Sequence, residues 1–201
     1  MNEIKAVIFD LDGTLISLEV DFNDLRRRLG IQHGPVWEAI LEMEGEDRCQ
    51  AERLLLDTEL AGAQRCRVMP GARELLAQLD AVDIPCGILT RNCREAVRIV
   101  SDRHGFTVEA VLARGDAQMK PKPDGVIELA RRLDVPPHNA LVVGDYLFDV
   151  EAGRRAGSTT ALFIEDRPTP DYAHIADYVI RDLLEVVQII ARHNGHGTKD
   201  A

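Results

Sequence analysis

The chain has 201 residues, enough for one domain or for a core with a modest insertion. Hydrophobic residues make up 45% and charged residues 29%, which excludes a disordered chain, and 4% aromatics leaves the core to Leu, Val, Ile and Ala. A net charge of −10 without a basic run argues against nucleic acid as a partner, and no apolar run is long enough to span a bilayer.

Short continuous apolar runs alternate with amphipathic stretches. Ile4 to Phe9 reads as a strand covered on both faces and runs into Asp10-Leu11-Asp12-Gly13-Thr14. From about Ile16 to Val68 no convincing strand occurs. Phe22 to Leu29, Pro35 to Met43 and Glu46 to Arg65 read as helices, so residues 16–69 are expected to form a small helical cap. Phe22 and Trp37 are expected in its core, and Arg26, Arg27 and Arg28 on a solvated face. Met69-Pro70-Gly71 returns the chain to a helix over Ala72 to Leu79. A strand from Ile84 to Leu89 ends in Thr90-Arg91-Asn92, where Thr90 can cap a helix over Arg94 to His104. Ala110 to Ala113 reads as a strand. Lys120-Pro121-Lys122-Pro123 precedes a helix that Asp124 can cap, with Ile127, Ala130 and Leu133 on one face and Lys122 in solvent. Ala140 to Val143 ends in Gly144-Asp145, and Asp149 can cap a helix that ends at Ala156, before Gly157. Thr160 to Ile164 is the last strand. This alternation predicts an α/β core with a parallel sheet, built from residues 1–15 and 70–195, with a flexible tail at 196–201.

Ligands of open parallel sheets bind at the carboxyl ends of the strands, so the polar residues closing each run carry the chemistry. Asp10, Asp12, Asp145 and Asp149 would repel one another there, and a hard divalent cation, Mg²⁺ by its liking for carboxylates, carbonyls and water, supplies the compensation. Asp10 is placed to attack phosphorus, and Asp12 to protonate the leaving oxygen and then activate water. Lys120 and Thr90 are candidates to hold the phosphoryl oxygens. Gly13 allows the tight turn, while Arg91 and Asn92 are candidate substrate contacts. The six histidines show no paired spacing for zinc. The four cysteines lack metal or framework spacing and, with no export signal in MNEIKAVIFDLDG, read as reduced thiols in cytoplasm.

The set Asp10-Leu-Asp12-Gly-Thr14, Thr90, Lys120-Pro and Gly144-Asp145-x-x-x-Asp149, in that order, resembles the haloacid dehalogenase-like superfamily. The helical segment before Pro70-Gly71 resembles the cap of its phosphoglycolate-phosphatase-like subfamily. The resemblance implies a Rossmann-like sheet of order 5-4-1-2-3 and a Mg²⁺-dependent phosphatase. It makes Asp10 the nucleophile and a metal ligand, and Asp12 the acid/base with its carbonyl on the metal. Thr90 and Lys120 would hold the phosphoryl group, with Asp145 on the metal and Asp149 supporting it. The expected partner is a small phosphorylated metabolite: phosphoglycolate, a sugar phosphate or a nucleotide. A phosphotransferase or mutase using the same aspartyl phosphate, or a phosphate-binding protein without catalysis, are the alternatives.

Overall fold

The computed structural model describes residues 2–195; the expected tail at 196–201 lies outside them. The first strand, β1 (Ala6–Phe9), is wholly buried. A two-stranded ribbon, β2 (Ile16–Ser17) and β3 (Arg67–Val68), pairs antiparallel at the root of the insert, where no strand was expected. Between its strands stand α1 (Phe22–Leu29), α2 (Val36–Leu41) and α3 (Gly45–Arg65). Asp21 caps α1 by accepting from the amides of Asn23 and Asp24, each at 2.9 Å. The three helices share a small apolar core of Leu25, Val36, Ile40, Ala51 and Leu55, with Phe22 and Trp37 packed against it.

The rest of the chain alternates as expected: α4 (Ala72–Asp80), β4 (Cys86–Leu89), α5 (Arg94–His104), β5 (Ala110–Leu112), α6 (Asp124–Arg132), β6 (Ala140–Gly144), α7 (Leu147–Ala156), β7 (Thr159–Phe163), β8 (Tyr178–Ile180) and α8 (Glu185–Asn194). All six strands of the main sheet run parallel in the order β5-β4-β1-β6-β7-β8. The architecture is the expected Rossmann-like one; the order departs from 5-4-1-2-3 by the sixth strand, β8, added at one edge.

Successive side chains of a strand face opposite ways, so the sheet has two cores. Val7 and Phe9 point into the one shared with Leu75 and Leu79 of α4, Val97 and Val100 of α5, and Ile189 of α8. Ala6 and Ile8 point into the other, with Val126 and Leu129 of α6 and Ala152 of α7. Several local expectations are corrected. The buried face of α6 is Val126, Leu129, Ala130 and Leu133, whereas Ile127 is 47% exposed; Pro123, not Asp124, is the cap residue. Cys93, not Thr90, caps α5, its sulfur accepting from the Ala96 amide. Asp149 lies in the first turn of α7 rather than at its cap, and its carboxylate accepts from the amide of the cap residue, Tyr146, at 3.1 Å. Among the described residues no helix is long and apolar enough to cross a membrane.

Candidate active site

Register brings the site together. β1 lies between β4 and β6, with Phe9 paired to Ile88 and to Val143. Asp10, Thr90 and Asp145, each the residue just after its strand, therefore close the carboxyl ends of three adjacent strands. The Asp10 amide donates to the Val143 carbonyl at 2.8 Å, which extends the ladder one residue and fixes the carboxylate's origin. The segment after β5 returns Lys120 beneath this edge, 3% exposed, and the first turn of α7 supplies Asp149, 2% exposed.

The oxygens of Asp10, Asp145 and Asp149 come within 4.8 Å of one another. The Lys120 ammonium sits among them, 2.7 Å from Asp10 Oδ1 and 2.5 Å from Asp149 Oδ1, and donates its third proton to the Leu89 carbonyl at 2.9 Å. Asp145 Oδ2 accepts from Arg167 at 2.9 Å. Asp12 Oδ1 accepts from the Leu18 amide at 2.9 Å, which holds its side chain over the turn. Two glycines make the approach of the acids sterically feasible. A Cβ on Gly13 would lie 2.4 Å from Asp145 Oδ2, and Gly13 has φ +81°; a Cβ on Gly144 would lie 2.2 Å from Asp149 Cγ.

Crowding of buried acids governs their ionisation. Desolvation raises Asp10 to about 8; the Lys120 charge opposes it, and Asp149 and Asp145 add to it. Desolvation also raises Asp12 to about 7, against its bond from Leu18. Asp145 rises to about 6 through desolvation and Asp149, with Arg167 opposing. Desolvation pushes Lys120 down, but Asp10 and Asp149 outweigh it and hold the ammonium above its ordinary value. Four carboxylates thus face two cations, and the deprotonated cluster is two charges short of neutral. Oxygen-only donors and a deficit of two charges fit a hard divalent cation.

Above this edge a cavity of about 950 Å³ opens between sheet and insert. Asp10, Asp12, Gly13, Thr90, Arg91, Asn92 and Asp145 line it; Lys120 and Asp149 lie beneath its floor. Arg91 faces it but is engaged: its guanidinium donates to both oxygens of Glu38 at 2.8 and 2.6 Å and to the Lys120 carbonyl at 2.5 Å. Arg26, read from sequence as solvated, lines the cavity, while Arg27 and Arg28 are exposed. Trp37 and Phe22 serve both the insert's core and the cavity wall.

Four participants were not singled out in the sequence. Arg167 comes from the loop after β7 and carries no local signal. Glu38 and Arg114 read as ordinary surface charges. Glu59, by contrast, occupies the buried stripe of α3 with Ala51, Leu55 and Ala63, where a charge demands a partner. That partner is Arg114, whose fork donates to both Glu59 oxygens and lies 4.6 Å from the centre of the Trp37 ring.

Fold and site together define the class: a Rossmann-like α/β protein whose acidic strand edge is covered by inserted helices. The comparisons agree. The family model for haloacid dehalogenase-like hydrolases matches residues 4–157. N-acetylmuramic acid 6-phosphate phosphatase of Pseudomonas aeruginosa is 29% identical, covering 94% of this chain and 96% of that protein. The mitochondrial (DL)-glycerol-3-phosphatase 1 of Arabidopsis thaliana is 27% identical, covering 92% of this chain and 72% of that protein. A crystal structure of a predicted phosphoglycolate phosphatase from Haemophilus somnus 129PT superposes with a TM-score of 0.76 at 19% identity, covering 94% of this chain and 99% of that one. The chain belongs to the haloacid dehalogenase-like hydrolase family.

Proposed function

We propose that the chain hydrolyses a small phosphomonoester through a phospho-aspartate on Asp10. The supporting observation is the position of Asp10: on the cavity floor, at the end of a central strand, with Lys120 behind it and Asp145 beside it. Asp10, Asp145 and Asp149, with the Asp12 carbonyl, would hold Mg²⁺, which when bound offsets the cluster's charge and polarises the phosphoryl oxygens. An Asp10 oxygen attacks phosphorus and the ester oxygen leaves. Asp12, whose carboxyl burial raises to about 7, gives that oxygen its proton. As a carboxylate it then takes a proton from the water that cleaves the acyl phosphate. Lys120 keeps Asp10 aligned and favours its carboxylate, and Thr90, Asn92 and the backbone at Gly13 receive the phosphoryl oxygens.

Helices α1 to α3 act as a cap that shields the reaction from bulk water. The relatives named above act on a sugar phosphate and on glycerol 3-phosphate, and a leaving group of that scale suits this cavity. Asp10→Asn should lower turnover of a phosphomonoester panel by several orders of magnitude while the circular dichroism spectrum stays unchanged. Near-wild-type turnover in that variant would reject the covalent route. In isotopically labelled water the released phosphate should carry solvent oxygen; turnover without the label would move the reading to a phosphotransferase.

A further inference from the structure

We propose that Arg26 reads a second anionic group on the substrate, so that the preferred substrate is a phosphomonoester whose ring-sized leaving group bears a carboxylate or a further phosphate. This rests on the phosphatase reading of the Asp10 site.

The basis is the pairing of charges around the cavity. Of the arginines that line it, Arg91 is held by Glu38 and Arg114 by Glu59. Lys120, under the floor, is held by Asp10 and Asp149. Arg26 makes no ion pair among the described residues. Its Nε reaches the Gly34 carbonyl at 3.4 Å, and its Nη1 reaches the Phe22 carbonyl at 3.5 Å and Asn23 Oδ1 at 3.4 Å. These contacts lie at the long limit of hydrogen bonding, and Nη2 has none. The neighbouring Arg27, 71% exposed, pairs with Asp24. A half-buried guanidinium on a cavity wall, its Nη2 open to solvent and its other contacts long, is placed to donate to a planar or tetrahedral oxyanion.

The placement separates the two anions. Asp10 belongs to the sheet edge and Arg26 to α1 of the insert, so a ligand meeting both spans the cavity. At about 950 Å³ the cavity is near the upper end of the roughly 300–1,000 Å³ usual for small-molecule sites. Trp37, Tyr146 and Phe148 line the same cavity and supply flat apolar wall, which suits a ring. In a chain of net charge −10, an added anion on the substrate is disfavoured everywhere except opposite an unmatched cation.

The test uses hydrolysis of 4-nitrophenyl phosphate with Mg²⁺ as reporter and matched competitors: phenyl phosphate against 4-carboxyphenyl phosphate, glucose 1-phosphate against glucuronic acid 1-phosphate, and fructose 6-phosphate against fructose 1,6-bisphosphate. In wild type at least one charged member should compete roughly tenfold or more tightly than its partner. The first two pairs report a carboxylate and the third a phosphate. Arg26→Gln should bring that ratio to about one, and Arg26→Lys should restore part of it, which a merely structural role would not do. In wild type the ratio should also shrink as salt is raised, a readout that needs no variant. No preference in wild type, or a ratio unchanged in Arg26→Gln, overturns the assignment while reporter turnover leaves the phosphatase reading standing. Absence of reporter turnover removes both.

Discussion

Gly144→Ala tests how tightly the active edge is packed. The backbone at Gly144 is ordinary strand, so alanine adds no conformational strain there. The added methyl would lie 2.3 Å from Asp149 Cβ and 2.2 Å from its Cγ. The Cβ is fixed by the helix backbone, so side-chain rotation does not relieve the clash and α7 must shift. The shift loosens the Lys120–Asp149 pair at 2.5 Å and the Tyr146 amide bond at 3.1 Å. Overpacking costs about 1–3 kcal/mol, and losing a partner from a buried pair about 3–5 kcal/mol. Partial loss of the pair puts the expected destabilisation at roughly 2–4 kcal/mol, or about 4–16 °C in Tm for a chain of this size. Urea unfolding followed by circular dichroism measures it, with turnover and Mg²⁺ affinity read on the same preparations; both should fall. Stability within about 0.5 kcal/mol of wild type, with turnover kept, would refute the close approach of Asp149 to strand β6.

Stability of the metal-free protein should fall as pH rises from about 5 to 8. Asp10 at about 8, Asp12 at about 7 and Asp145 at about 6 all lie above the roughly 4 of an unfolded chain, so the native state holds extra protons across that window and loses their contribution as they leave. Mg²⁺ should raise Tm more at pH 8 than at pH 5, because it competes with those protons; thermal melts at both pH values with and without the ion check both statements, and a metal-free melt that rises with pH contradicts them. Glu59→Gln should cost about 3–5 kcal/mol in urea unfolding, because the Arg114 side chain, 11% exposed, keeps its charge without a partner; Glu59→Leu with Arg114→Met should recover most of it. Thr14 is fully buried, and its hydroxyl has no partner among the described residues, so Thr14→Val should be neutral or stabilising by up to about 1 kcal/mol, and a loss beyond that range in the same assay counts against it.

Much of the fold was legible because parallel strands covered on both faces announce themselves as apolar runs. Ala6–Phe9 and Ala140–Gly144 are buried at every residue, and both stand within a residue or two of their expected ends. The strands missed, β2, β3 and β8, are two or three residues long, too short to carry a period, and owe their existence to a neighbour's backbone. Ile127 misled because an apolar residue on a helix surface is commonplace, and only the position of the sheet decides which face of α6 is covered.

The sequence by itself determined the alternation of strand and helix and the acidic residues that close the strands, because both follow from local periodicity and from where apolar runs stop. Tertiary structure decided how charges pair. Arg91 met Glu38, Arg114 met Glu59 and Arg167 met Asp145 across separations of 22 to 55 residues, and Arg26 was left facing the cavity alone. Coulombic partnership depends on distance through space, and only the folded chain sets that distance.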